Sequence, residues 1–178
     1  MAQDLIEAGV LTTPVHSDDR GYFAESWNTT WGLGIDMDIK QTNICWTERR
    51  MTLRGLHAQF GSSQVAKLVR VIKGEILDVY VDARQDSPDY GQWKAAKLNH
   101  VGSAIYIPRG FYHGYVTLTD DVLVTYHQDA VHDKNRECGL NFKEAGRLFW
   151  ESWLINIDEL HISEKDRNQP HWNNAVKF

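Results

Sequence analysis

The residues able to do chemistry concentrate in two stretches. The first, Thr52-Leu53-Arg54-Gly55-Leu56-His57-Ala58-Gln59, delivers an arginine, a histidine and a glutamine around a tight glycine turn. The strand Ala66-Lys67-Leu68-Val69-Arg70-Val71-Ile72-Lys73 then carries a lysine past them. The second, Gly102-Ser103-Ala104-Ile105-Tyr106-Ile107-Pro108-Arg109-Gly110-Phe111-Tyr112-His113-Gly114, runs a strand into a Pro-x-Gly turn and aims His113 from the start of the next strand. Histidine titrates near neutral pH and can move a proton there. A lysine among apolar strand residues offers a positive charge to a developing oxyanion, and the planar fork of arginine suits phosphate oxygens. A histidine alone is as well read as a hydrogen-bonded wall residue, so His57 gains its meaning from this company.

These side chains need strands to hold them. Period-two alternation puts Lys67, Val69 and Val71 on one face and Leu68, Arg70 and Ile72 on the other. Both faces mix apolar and cationic groups, which a plain sandwich strand has no need to do. Upstream, Gly9 to Pro14 reads as a short strand that enters the turn Asp18-Asp19-Arg20-Gly21 and returns as Tyr22–Trp27, a hairpin flanked by Arg20 and Glu25. Trp27 to Ile35 reads as a loop or one helical turn. Asp36 to Cys45 reads as extended, with Gln41 and Asn43 on one face. Turn residues then recur every eight to twelve positions, and they delimit strands at Ala66–Ile72, Glu75–Asp82, Trp93–Leu98, Ser103–Ile107, Tyr112–Leu118 and Val122–His127. On the last of these, Tyr126 shares a face with Val122 and Val124. Only Ile157 to Asp166 carries a late helical turn. Many short, regularly spaced strands predict an all-β sandwich or barrel, and the absence of repeats, linkers or low-complexity segments predicts one domain over residues 1–178.

Composition sets the outer bounds. A chain of 178 residues can bury roughly 70% of its unfolded surface, enough for a sizeable core. The net charge of −5 gives no support to a nucleic-acid partner, so any bound anion is gripped by local Arg and Lys. Seven Trp and seven Tyr argue for a deep aromatic interior or a stacking surface. Cys45 and Cys138 form neither a CxxC nor a disulfide framework and read as free thiols in a reducing compartment. Met1–Leu5 lacks the basic and apolar regions of a signal peptide, and no stretch approaches the ~20 apolar residues of a membrane span. The expectation is a cytoplasmic protein with no membrane partner.

The spacing from Pro108 to Gly114 resembles the second half-motif of the cupin superfamily, with Thr117 in place of its closing Asn. Where the first half-motif offers His-x-His and a Glu as metal ligands, this chain has His57-Ala58-Gln59. A metal would have to assemble from His57, His113 and a carboxylate, against the three or four convergent ligands such a site needs, so no metal is expected. Five motifs occur in this chain in the order of one family: Leu53-Arg54-Gly55-Leu56-His57, Lys67-Leu68-Val69-Arg70, Leu77-Asp78-Val79-Tyr80-Val81-Asp82-Ala83-Arg84, Pro108 to Gly114, and Ser163-Glu164-Lys165-Asp166. The chain from about Val10 to Pro170 resembles the nucleotide-sugar epimerases typified by dTDP-4-dehydrorhamnose 3,5-epimerase.

That resemblance implies a double-stranded β-helix (jelly-roll) barrel with short peripheral helical segments. It also implies an NDP-4-keto-6-deoxyhexose substrate, no cofactor, and a homodimer in which the N-terminal strands exchange between subunits. By it, His57 is the catalytic base, Asp166 its dyad carboxylate, Tyr126 the general acid and Lys67 the cation beside the sugar ketone. Arg20, Glu25, Gln41, Asn43, Arg54, His113, Glu137 and Lys165 correspond to residues around the nucleotide diphosphate and its base. The chemistry agrees with these roles. A proton beside a ketone becomes removable when the enolate oxygen meets a cation, a carboxylate fixes the tautomer of the base, and inversion needs a second group on the opposite face of the ring. After Tyr126 the chain departs from the family's Thr-x-Tyr-Tyr-x-Pro run and has Gln128-Asp129-Ala130-Val131-His132-Asp133, with His132 near the second Tyr, a position used beside the sugar ring. Inversion at C3, at C5 or at both therefore stays open, as does the choice among dTDP, GDP and CDP. The rival readings are another cupin enzyme, either a metal-dependent dioxygenase or a nucleotide-sugar ketoisomerase, and a non-catalytic sugar-nucleotide binder.

Overall fold

Glycine, proline and polar turns cut the chain into short strands. The computed structural model describes residues 8–28, 37–99 and 102–178. Its strands are β1 Gly9–Thr12, β2 Val15–Asp18, β3 Gly21–Ala24, β4 Gln41–Thr47, β5 Thr52–Gln59, β6 Lys67–Lys73 and β7 Glu75–Asp82. They continue as β8 Trp93–Asn99, β9 Ser103–Ile107, β10 Phe111–Thr117, β11 Val122–Gln128, β12 Glu137–Gly139 and β13 His161–Ile162, with two short helices, α1 Arg147–Ser152 and α2 Glu164–Arg167. The strands from β6 to β11 match the turn-delimited expectations to within a residue. Two short elements, β12 and α1, carry no periodic signal that would announce them.

Two antiparallel sheets face each other. One runs β1-β9-β6-β11-β4 and the other β12-β5-β10-β7-β8, with β13 lying parallel to the start of β5. The expected barrel is not formed, because neither sheet closes on itself. The first ends at β1 and β4 and the second at β8 and the β12–β13 side. Closure demands that every edge strand find a ladder partner. Turn spacing predicts how many strands there are, not whether their edges meet. The architecture is antiparallel and sheet-rich with short helices, open at its edges.

Each face of these sheets has its own apolar set. Between them, Val69 and Val71 from β6 meet Ile76 and Tyr80 from β7, Ile105 from β9 and Val122 and Val124 from β11. The period-two reading of β6 thus holds: Lys67 shares the inward face with Val69 and Val71. On the back of the second sheet, Leu77, Val79 and Val81 meet Phe142, Trp150, Ile155 and Leu160 from the C-terminal segment. Trp150 is fully buried and its indole N–H donates to the Phe142 carbonyl at 3.0 Å. Trp150 and Ile155 therefore plug this back layer, while Leu148 and Leu154 between and beside them stay exposed, and truncating such a buried Trp costs about 3–5 kcal/mol.

The N-terminal hairpin is shorter than expected. Proline has no N–H to continue a ladder, and the chain divides at Pro14. β1 pairs within its own chain with β9, from Gly9 opposite Tyr106 to Thr12 opposite Ser103, while β2 and β3 form a separate two-stranded ribbon. The loop or turn expected over Trp27–Ile35 lies, from residue 29 on, outside the described residues, and so does the start of the extended stretch at Asp36. The late turn expected over Ile157–Asp166 resolves into a 3-10 turn at Ile157–Glu159, then β13 and α2. Among the described residues no helix is long and apolar enough to cross a membrane.

Candidate active site

In an unbroken strand Arg54 and His57, three residues apart, would point to opposite faces. They do not, because β5 bulges. Against β10, His57 pairs with His113 and Arg54 with Tyr115, so three steps on β5 answer two on β10. The extra residue resets the alternation and turns both side chains into one cavity. Gly55 makes this possible. Its φ is +115°, and a Cβ there would lie 2.7 Å from the Gly114 Cα and 2.8 Å from the His113 carbonyl oxygen. The glycine of the Leu-Arg-Gly-Leu-His motif is thus a crossing point of two backbones.

The cavity, about 570 Å³, lies between the sheets, within the range of small-molecule sites. One wall belongs to the second sheet and carries Arg54, His57 and Gln59 from β5, His113 and Tyr115 from β10 and Glu137 from β12. The facing wall belongs to the first sheet and carries Gln41, Asn43 and Cys45 from β4, Lys67 from β6 and Tyr126 and Gln128 from β11. His57 and Tyr126 therefore stand on opposite walls.

His57 Nε2 lies 2.7 Å from Asp166 Oδ1. A carboxylate only accepts, so Nε2 carries the hydrogen of the neutral ring and Nδ1 keeps the free lone pair. Asp166 is itself fixed: Oδ2 accepts from the Gly55 N–H at 3.2 Å, and its own N–H donates to the Ser163 hydroxyl that caps α2. Burial raises the Asp166 carboxyl, but the hydrogen bond and charge of His57 and the Gly55 N–H outweigh it and hold the group below the usual carboxylate range. On the Nδ1 side, Glu137 Oε1 lies 3.9 Å away. Glu137 also accepts from Lys165 Nζ at 2.6 Å and has His132 Nε2 at 3.9 Å. Burial raises Glu137 too, and Lys165, His57 and His132 bring it below its ordinary value.

Across the cavity, burial brings Lys67 down to about 8, with Asp78 and Glu137 opposing the shift. Beside it, His113 Nε2 lies 2.8 Å from Asp78 Oδ2. Asp78 is fully buried and its Oδ1 has no hydrogen-bond partner among the described residues. Burial raises its carboxyl, against the pull of His113 and Lys67. Burial first, and then the Cys45 thiol beside it, push Tyr126 up to about 12, with Arg54 acting in the opposite direction.

Of the residues singled out by sequence, His57, Lys67, Tyr126, Asp166, Gln41, Asn43, Arg54, His113, His132 and Glu137 all line this cavity. Lys165 reaches it only through Glu137. His113, expected around the nucleotide, is 6% exposed and lies beside Asp78. Arg54 donates to the Thr47 hydroxyl at 2.9 Å and to the Trp46 carbonyl, while Gln41, Asn43 and Gln128 form a chain of side-chain amides. Arg20 and Glu25 are not brought to the cavity of their own chain. They sit on and just after the β2–β3 ribbon, where the Arg20 side chain is 86% exposed and pairs with Asp18. Asp78, Cys45 and Tyr115 line or adjoin the cavity and were not singled out as site residues. Their signal was positional: Asp78 shares a strand face with Ile76 and Tyr80, and Cys45 continues the face of Gln41 and Asn43. His57 and His113 each turn to a different aspartate, and among the described residues no three His, Cys, Asp or Glu are grouped to hold a metal ion.

Comparisons place this geometry among known proteins. Residues 3–174 match the family model described as dTDP-4-dehydrorhamnose 3,5-epimerase. The dTDP-4-dehydrorhamnose 3,5-epimerase of Methanothermobacter thermautotrophicus is 36% identical over 168 residues, covering 92% of this chain and 89% of that protein. Among solved structures, the enzyme of that name from Bacillus anthracis, with TDP and PPi bound, is 32% identical with a TM-score of 0.85, over 93% of this chain and 94% of that one. The dTDP-6-deoxy-D-glucose-3,5-epimerase of Legionella pneumophila, in complex with dTDP-4-keto-L-rhamnose, is 28% identical with a TM-score of 0.85, over 97% and 91%.

Proposed function

The chain belongs to the dTDP-4-dehydrorhamnose 3,5-epimerase family, a cupin-related group, and we propose that it moves protons between the two walls of its cavity to invert C3, C5 or both of a 4-keto-6-deoxy sugar. It is a nucleotide-sugar epimerase of the cofactor-independent, isomerase type. For the substrate we take dTDP-4-dehydro-6-deoxy-D-glucose, a reading supported by the dTDP-linked ligand of the Legionella relative.

The observation that carries the residue roles is the placement of His57 and Tyr126 on opposite sheets lining one cavity. His57 Nδ1, its lone pair left free by the Asp166 contact at Nε2, takes the proton beside the ketone. The Lys67 ammonium meets the enolate oxygen as charge develops there. Asp166 stabilises the imidazolium without accepting its proton. Tyr126 then protonates the same carbon from the other face, and the two-sided delivery produces inversion. Arg54 grips the diphosphate at the cavity mouth, and the Gln41–Asn43–Gln128 amides and His132 contact the sugar nucleotide. Glu137, tied to Lys165, acts more through His57 than through the nucleotide.

The same reading extends to assembly and place. Arg20 and Glu25 lie away from their own cavity on a ribbon whose Phe23 is 67% exposed, which supports a two-fold homodimer in which each ribbon reaches the partner's site. With a net charge of −5, we read the protein as cytoplasmic, with neither nucleic acid nor membrane as partner. The test is turnover of the 4-keto sugar nucleotide in deuterated water. Deuterium should enter at the inverted carbons, and their number separates single from double inversion. No uptake from dTDP, GDP or CDP substrates would remove the reading, and a product with its carbonyl relocated would replace it by a ketoisomerase.

A further inference from the structure

The mechanism so far leaves His57 holding the proton it has taken. That proton must leave before the next turnover, and the groups on the Nδ1 side of the ring decide where it goes. In the β12–β5 ladder Glu137 is opposite Gln59 and Gly139 opposite His57, so Glu137 and His57 are diagonal neighbours on one face of the sheet. The two oxygens of Glu137 are shared out. Oε1 lies 3.9 Å from His57 Nδ1 and accepts from Lys165 Nζ, while Oε2 lies 3.9 Å from His132 Nε2. His132 is fixed through its backbone: its N–H donates to Gln41 Oε1 at 2.8 Å, and the next N–H, of Asp133, donates to Gln59 Oε1 at 2.6 Å. Its side chain is 49% exposed, against 29% for His57 and 18% for Glu137. The row His57, Glu137, His132 thus runs from inside the cavity to solvent.

We propose that His132 is the proton exit of this site: the proton that His57 takes from the sugar passes through water to His132 and on to solvent, with the Glu137 carboxylate facing both rings. The inference rests on the reading of His57 as base. Abstraction breaks the sugar C–H bond, forms an Nδ1–H bond on His57 and leaves the electron pair in the enolate. In the exit step that Nδ1–H bond breaks, a water takes the proton and releases one of its own, and an N–H bond forms on His132. The His132 imidazolium then gives a proton to solvent water or a buffer base, so both rings end neutral, while Tyr126 recovers its proton from solvent separately. Contacts of 3.9 Å are too long for direct hydrogen bonds and of a length that a bridging water spans. Imidazole takes and releases protons near neutral pH, which suits both ends of the path. Glu137 does not itself take the proton. Burial raises its carboxyl, but Lys165, His57 and His132 hold it below its ordinary value, so it stays an anion and favours the cation on either ring.

Tyr126→Phe isolates this path, because without the acid the sugar gains deuterium only if His57 loses its proton before handing it back. Uptake into recovered sugar nucleotide is therefore measured in deuterated water for Tyr126→Phe alone, with His132→Asn added, and with Glu137→Gln added. Each is run at saturating substrate, in low buffer and in high imidazole. The proposal expects His132→Asn to lower uptake about tenfold in low buffer, less than the roughly 10²–10⁴-fold of a group acting on the reacting carbon itself. Imidazole should restore most of that loss. Glu137→Gln should lower uptake too and recover only in part, because imidazole supplies a base but not the anion beside His57. Unchanged uptake on adding His132→Asn would overturn the proposal. So would a loss that imidazole does not relieve, which would mark His132 as a sugar contact only, and so would unchanged uptake on adding Glu137→Gln. Undiminished uptake by His57→Asn would instead remove the base assignment itself.

Discussion

Replacing Lys67 with Met should make the protein more stable and nearly inactive. A lysine brought from 10.5 to about 8 by burial opposes folding at neutral pH by roughly 3 kcal/mol, since each unit of pKa difference between folded and unfolded chain is worth about 1.4 kcal/mol. Met fills a similar volume without the charge. Part of the gain is returned because Asp78, buried and drawn toward ionisation by Lys67, loses that partner. The expected net is about 1–3 kcal/mol in favour of the variant at pH 7, a rise in Tm of roughly 3–10 °C for a chain of this size. The sign with pH follows from linkage. Between about pH 8 and 10.5 the unfolded chain holds the Lys67 proton and the folded one does not, so parental stability gains from this group as pH rises through that window. The advantage of Lys67→Met should therefore be full below pH 8 and fade toward pH 10.5. Urea unfolding followed by tryptophan fluorescence, at matched protein concentration because assembly adds to stability, measures it. A variant less stable than the parent at pH 7, or an advantage unchanged between pH 8 and pH 10.5, would refute the reasoning.

The same titration should appear in catalysis: Lys67 must be protonated to hold the enolate, so kcat/KM should fall as pH rises past about 8. Initial rates from pH 6 to 10 decide it, and a plateau extending beyond pH 9 would contradict the role. The proposed assembly predicts a particle of about 41 kDa, twice the 20.5 kDa chain, in sedimentation. It further predicts that inactive Arg20→Ala and His57→Asn proteins regain activity when mixed and allowed to exchange subunits, because one site of the mixed dimer then has both residues. Absence of any recovery despite demonstrated exchange would place Arg20 outside the partner's site.

The sequence made some features of this site visible and hid others for identifiable reasons. Gly and Pro turns marked β6 to β11 because each strand is short and its ends are chemically distinct. Pro14 was present in the same way, and reading past it merged β1 with the ribbon that follows. Whether sheets close depends on edge strands finding partners across the fold, and turn spacing carries no information about that. That Lys67 shares a face with Val69 and Val71 followed from period two alone; that this face is the inward one came only with the fold. The shared face of Arg54 and His57 did not, since the β5 bulge depends on Gly55 meeting Gly114 across a ladder. Asp78 looked like one more polar residue in a strand of branched side chains. Its partner His113 is 35 positions away, so only the fold joins them. Cys45 reads in the sequence only as one of two free thiols, and its neighbours Tyr115 and Tyr126 come from two different sheets.

The central claim is that base and acid act from opposite walls, and one paired time course tests it most directly. His57→Asn and Tyr126→Phe are each incubated with the 4-keto sugar nucleotide in deuterated water. Deuterium uptake is read by mass spectrometry and product stereochemistry by proton couplings. The account predicts that His57→Asn shows neither uptake nor inversion. It predicts that Tyr126→Phe still takes up deuterium at a measurable rate while inversion falls by roughly 10²–10⁴-fold, the usual contribution of a positioned acid. Parental inversion by Tyr126→Phe, or undiminished uptake by His57→Asn, would contradict it.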